Sequence, residues 1–265
     1  MRKIWILVRK EWAEVFRNKL VLFTTAFLPL VFAVLPLIFM YVIRSSMGEL
    51  DDLTNMSDIP AEFTKMCDGL TGTGCMQYYL VSQFMLLFML VPMIVPITFA
   101  SYSIVGEKST RTLEPLLATP IKTVELLAGK ALAATIPGVV ATWLAFLLYA
   151  IGAYFLAVDP AVIGKILEPL WLMAIVVVGP LVAIFGVSLA VMISSRATDP
   201  RIAEQVSAVF VLPMVGLFVA QSLGLIFVNE KIILWMAAIL LVLDAGALAF
   251  ATQLFQRETI LTRWK

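Results

Sequence analysis

Residues 106–121 read Gly106-Glu-Lys-Ser-Thr-Arg-Thr-Leu-Glu-Pro-Leu-Leu-Ala-Thr-Pro-Ile121, a compact polar segment set between two long apolar runs. Its charges, its short apolar patch and its two prolines are of use only to a partner on the water side of whatever the flanking runs occupy. The segment reads as a handle and not as part of a pore.

Working outward, the chain is 62% apolar and only 14% charged, with a mean hydropathy of +0.99, far outside soluble globular usage. A membrane-spanning helix needs about 20 consecutive apolar residues. Six runs meet that length: 20–43, 78–101, 131–156, 169–193, 205–228 and 232–254. Each is continuously apolar over more than twice the length of a barrel strand, which excludes the alternating pattern of a membrane barrel. The expected fold is an all-α integral membrane protein with six transmembrane helices in a single domain, 1–265, and an outer loop at 44–77.

The distribution of Lys and Arg orients the spans. Arg2, Lys3, Arg9, Lys10, Arg17 and Lys19 precede the first run; Lys108, Arg111, Lys122 and Lys130 follow the second; Arg196 and Arg201 follow the fourth; Arg257, Arg263 and Lys265 close the chain. All fall on one face, predicted to be cytoplasmic, with both termini there. The opposite loops hold only Arg44, Lys65, Lys165 and Lys231, and the first of them gathers Glu49, Asp51, Asp52, Asp58, Glu62 and Asp68. A net charge of +1 therefore hides a strong sidedness.

Residues 1–19 are expected to form an interfacial helix, because Ile4, Trp5, Val8, Trp12 and Val15 recur at helical spacing while Arg9, Lys10, Glu14 and Arg17 take the other face. The first run is too long for a signal-peptide core and lacks a small-residue cleavage site, so it reads as a retained span. Cys67 and Cys75 share the outer loop, where oxidising conditions permit a bridge; two free thiols are the alternative.

Absences narrow the function. Gly69-Leu-Thr-Gly-Thr-Gly74 has the glycine spacing of a phosphate loop, but Cys75-Met76 follow where Lys and Ser or Thr are required. With no histidine in the chain, no Ser/His/Asp set is possible, and no acidic cluster lies at membrane depth. No catalytic, cofactor or metal site is expected, nor any nucleic-acid partner.

At Gly106-Glu107-Lys108 and Arg111-Thr112-Leu113-Glu114-Pro115-Leu116-Leu117-Ala118-Thr119-Pro120 the chain resembles the six-span permease subunits of type-2 ATP-binding-cassette (ABC-2) exporters, within them the sodium-efflux and drug-efflux branch. Supporting matches are Ser195-Arg196-Ala197-Thr198-Asp199-Pro200-Arg201-Ile202-Ala203-Glu204-Gln205, leading to Leu212-Pro213, and Phe255-Gln256-Arg257-Glu258-Thr259-Ile260-Leu261. The resemblance implies an exporter in the cell membrane that dimerises and recruits two copies of a separate ATPase, which binds the ATP and Mg. It makes 106–121 a coupling helix that docks in a groove of that ATPase. The chemistry allows this: Arg111 and Glu114 share a helix face, and Leu113, Leu116 and Leu117 form an apolar ridge. Lys108 adds charge, and Glu107 bonds back to the inner end of the second span or pairs with Arg111. Thr119-Pro120 reads as an N-cap and first-turn proline opening span 3.

Within the spans, Pro92, Pro96 and Pro213 are the prolines expected to kink helices that move. Gly216, Ala220 and Gly224 form a small-residue strip suited to close packing inside one subunit or between two. Asp244 is the sole acid deep in a span, where a charge costs about 2.5–3.5 kcal/mol on insertion scales. It is either an intramembrane site for a cation or proton, or a protonated group bonded between helices; Gln83, Ser207 and Gln221 are further polar candidates along a path. Two other functions stay open: a membrane anchor or regulator of an ATPase without transport, and an ion-coupled carrier using Asp244.

Overall fold

The computed structural model describes residues 2–17, 19–46, 67, 70, 72–109, 123–197 and 199–254. Among these every regular element is helical. In chain order they are α1 (Arg2–Val15), α2 (Lys19–Ser45), α3 (Thr73–Phe88), α4 (Val91–Ser109), α5 (Thr123–Leu156), α6 (Pro160–Ile166) and α7 (Pro169–Met173). A π-helical segment, Ala174–Val178, leads into α8 (Gly179–Arg196), followed by α9 (Pro200–Ala208), a 3-10 turn (Val209–Val211), α10 (Leu212–Ser222) and α11 (Glu230–Leu254). Six candidate spans result, so the chain is a multi-pass membrane protein: Thr25–Ser45, Thr73–Glu107, Val124–Leu156, Pro160–Ser194, Arg201–Ser222 and Glu230–Gln253.

The second and fourth spans form the centre. Phe88, Met89, Met93, Ile97 and Phe99 of the second are sealed, as are Val178, Val182, Val187 and Ala190 of the fourth. The first, fifth and sixth spans lie outside them and expose Phe27, Leu30, Leu212, Val219, Trp235 and Val242, as apolar helix surfaces meant for lipid or another helix must. Glycine sets how closely the central helices approach. A Cβ on Gly138 would lie 2.3 Å from Cγ of Pro96, so α4 and α5 meet backbone to ring there.

Several span boundaries depart from the periodicity reading. The run 78–101 is not one helix: α3 and α4 are separated at Met89 and Leu90, where Pro92 has no N–H to continue the ladder. The run 131–156 begins earlier, at Thr123, because Glu125 and Lys130 belong to the helix despite their charge. The run 205–228 stops at Ser222, since Gly224 adopts φ 71° and Leu225 N–H caps back onto the Ala220 carbonyl. Gly224 thus ends a helix instead of lining a packed strip, and nothing lies within 4 Å of a Cβ placed on Gly216. Pro213 sits just inside α10, directly after the 3-10 turn that interrupts the fifth span.

Two carbonyls of the fourth span explain its π segment. Gly179 N–H reaches back five residues to the Ala174 carbonyl, and Pro180 supplies no N–H for Ile175 in the same register. The Ile175 carbonyl instead accepts from Nε1 of Trp143 on α5, at 3.3 Å.

Candidate functional site

The site forms where the basic ends of α1, α4 and α5 converge, at the root of the segment 106–121. In α1 the buried residues are Leu7, Val8, Glu11 and Val15, the spacing of one helix face. An acid on an apolar stripe needs a partner. Glu11 finds it in Lys130 of α5, Nζ to Oε1 2.8 Å, with side chains 3% and 4% exposed. Lys130 also lies 2.8 Å from Oε2 of Glu107, near the end of α4, and Lys10 pairs with the other oxygen of that carboxylate. Ser103 of α4 donates to Glu11 Oε2 and accepts from Lys130 Nζ at 2.9 Å. Trp12 Nε1 donates to the Ala133 carbonyl at 2.9 Å and pins α1 along α5.

The result is an alternation of two ammonium groups and two carboxylates spread over three helices, with Glu11, Glu107 and Lys130 buried and Lys10 partly exposed at its edge. Glu14 lies at its rim, 3.4 Å from Lys10. Carboxylate oxygens of Glu11, Glu14 and Glu107 come within 4.8 Å of one another, close enough for a metal. Lys10 and Lys130 already supply the counter-charge, which makes the cluster an ion-pair junction by chemistry. Burial by itself would lower the Lys10 pKa; the hydrogen bond and charge of Glu107, with Glu11 and Glu14, outweigh it and hold Lys10 above its ordinary value.

The residues expected to act here divide clearly. Glu107, expected to bond back to the inner end of the second span or to pair with Arg111, is bound instead to Lys10 and Lys130, and Arg111 lies outside the described residues. Lys108 lies in α4, but its side chain is outside the described residues, as are Arg111, Leu113, Glu114, Leu116, Leu117 and Thr119-Pro120. The segment 255–265 and the acidic part of the outer loop lie outside them too. The sequence reading names neither Glu11 nor Lys130 as a site residue; the available signal is the spacing of Glu11 with Val8 and Val15, which puts an acid on the apolar face. Trp5, assigned to that face, is 57% exposed.

At the opposite end, Cys67 and Cys75 form a disulfide with Cα atoms 5.4 Å apart. Close by, Gln77 ties three elements together, donating to the Met40 and Leu156 carbonyls and accepting from Val158 N–H. Gln83 and Gln221 meet at a seam between α3 and α10: Gln221 donates to the Ser82 carbonyl and Ser222 to Gln83. Ser207 stays apart from them, bonded to the Ala203 carbonyl of its own helix. Asp244 is 5% exposed, and neither of its carboxylate oxygens has a hydrogen-bond partner among the described residues.

With six spans, buried polar seams and a charged junction at one end, the chain has the parts of a membrane transporter component. It matches the protein family described as "ABC-2 family transporter protein" over residues 5–233. The chain belongs to the ABC-2 transporter family. No curated protein matches it. The family assignment makes this ABC-2 chain a permease, a multi-pass transport component whose family works with an ABC ATPase subunit. The matched stretch takes in α1 from Trp5 onward and all of α4 and α5, so the ion-pair junction falls inside it.

Proposed function

We propose that this chain is the permease subunit of an ABC exporter, moving its cargo out of the cytoplasm on work delivered at 106–121 by a separate ATPase. The observation that carries this reading is the junction of Glu107 and Lys130. These residues stand on either side of the segment, one at the exit of the second span and one in the first turns of the third. A push on the segment reaches both helices at once, and through Glu11 and Lys10 it reaches α1. Packed side chains and ion pairs are the physical means by which such coupling travels.

Sidedness and family support the remaining parts of the reading. The basic face, with both termini and the segment 106–121, is the cytoplasmic one, in the cell membrane. Two permease copies and two ATPases, which bind the ATP and Mg, complete the machine; the exposed apolar faces of α2, α10 and α11 are available to a second copy. A sodium-efflux or drug-efflux role stays a proposal of the same kind.

The test is co-purification of an ABC ATPase with the tagged chain, followed by ATP hydrolysis in vesicles. Leu113→Asp or Glu114→Arg is expected to abolish both association and stimulated hydrolysis; unchanged association sinks the docking claim. Glu11→Gln, Glu107→Gln and Lys130→Met combined in one variant, which leaves no unpaired buried charge at the junction, are expected to leave association intact and uncouple hydrolysis from flux. Retained coupling in that variant removes the junction from the transmission path.

A further inference from the structure

A second feature lies on the face of α11 that packs on α8. Leu240, Asp244 and Ala251 are buried there at helical spacing. Beyond Asp244, toward the basic end, Leu248 and Ala251 line a cavity of about 230 Å³, with Leu127 and Ala131 of α5 and Val187 and Val191 of α8. At 1.5 Å of rise per residue, Leu248 lies about 6 Å and Ala251 about 10 Å along the axis from Asp244. The two hydroxyls in the wall are turned to their own helices: Ser188 donates to the Ile184 carbonyl and Thr252 to the Ala249 carbonyl. The cavity therefore offers an apolar lining and no free hydroxyl donor.

Among the described residues Asp244 has no ion-pair partner. α8 carries no charged residue before Arg196, and α11 none between Lys231 and Leu254 other than Asp244 itself. Lys130, the cation of α5, is engaged by Glu11 and Glu107. A buried carboxylate without a partner is costly at membrane depth and marks a site for a ligand that supplies what the protein omits. A bare inorganic cation needs several oxygens, and one carboxylate among aliphatic side chains does not provide them. An organic ammonium with an aliphatic tail matches both halves.

We propose that α5, α8 and α11 form a binding site for an aliphatic ammonium, its tail in the cavity lined by Leu248 and Val187 and its cation against Asp244. The site rests on the cavity and on the unpartnered carboxylate one helical turn from its wall; that the ligand is cargo rests on the exporter reading above.

The experiment uses the full chain in lipid nanodiscs, with empty nanodiscs as the baseline, titrated with octylammonium and with octanol, its neutral counterpart. Octylammonium is expected to bind at least about tenfold more tightly than octanol, a difference of about 1.4 kcal/mol. Asp244→Asn should bring it down to the octanol level, and Ala131→Phe, which fills the cavity, should weaken both probes. If Asp244→Asn fails to fold, Ala131→Phe still decides whether the tail occupies the cavity. Equal binding of the two probes, octylammonium binding undiminished in Asp244→Asn, or a signal no greater than that of empty nanodiscs overturns the site. Binding without ATP-dependent efflux of octylammonium leaves the site standing and removes its role as a cargo station.

Discussion

Lys130 and Glu11 lie 2.8 Å apart, on helices separated by more than a hundred residues of sequence, with both side chains almost wholly shut away from solvent. Breaking a buried pair by removing one partner leaves an uncompensated charge and costs about 3–5 kcal/mol, whereas replacing both partners with apolar groups is often neutral. Lys130→Met is therefore expected to lower the melting temperature of the purified protein sharply. Adding Glu11→Leu should recover at least half of the loss, since Glu107 keeps Lys10 as its partner. Strictly additive losses in the double variant would show that the two side chains do not depend on each other.

The pH response of the same junction has a defined sign. Lys10 is held above its ordinary value of 10.5, so its ammonium contributes fully below that value and the contribution is lost as pH rises through the raised one. The melting-temperature difference between the native chain and Lys10→Met should stay constant from about pH 6 to about pH 9 and shrink only in the strongly alkaline range. A gap that closes between pH 9 and pH 7 would assign the stabilisation to some other group.

Much of this architecture was legible in residue order. Apolar runs long enough to cross a bilayer announce helices, and the six spans follow from them. What stayed hidden is where a local event overrides hydropathy. Pro92 splits the second run and Gly224 ends the fifth, yet neither changes the apolar count. Lys130 reads as one more positive charge on the basic face until tertiary packing brings Glu11 and Glu107 to it. Glu11 was the readable clue, an acid in register with Val8 and Val15. The surroundings of Asp244 were not readable, because a lone acid in a span does not say which helices lie around it.

The fourth span carries a test of its π segment. Trp143→Phe removes the donor that satisfies the Ile175 carbonyl and should cost about 1 kcal/mol, the usual scale for such a bond. Pro180→Ala restores an N–H in the register that the π segment leaves empty. In the double variant the new N–H should offset part of the Trp143→Phe loss. Thermal melts of the four proteins complete the cycle, and a double variant as unstable as the sum of its parts would refute the assignment.

Two glycines of similar sequence context should respond in opposite ways. Gly138→Ala drives a Cβ to within 2.3 Å of the Pro96 ring, a rigid neighbour on another helix, and overpacking of this kind costs about 1–3 kcal/mol. Pro96→Ala removes the obstructing ring and should relieve most of that loss in the double variant. Gly216→Ala meets nothing within 4 Å and trades a flexible helix residue for the best helix former, so stability should hold or rise by up to about 1 kcal/mol. Melting temperatures measured in detergent decide both. A loss at Gly216 would mean that another body packs against α10 in the solubilised protein, since nothing described within the chain comes near enough to object.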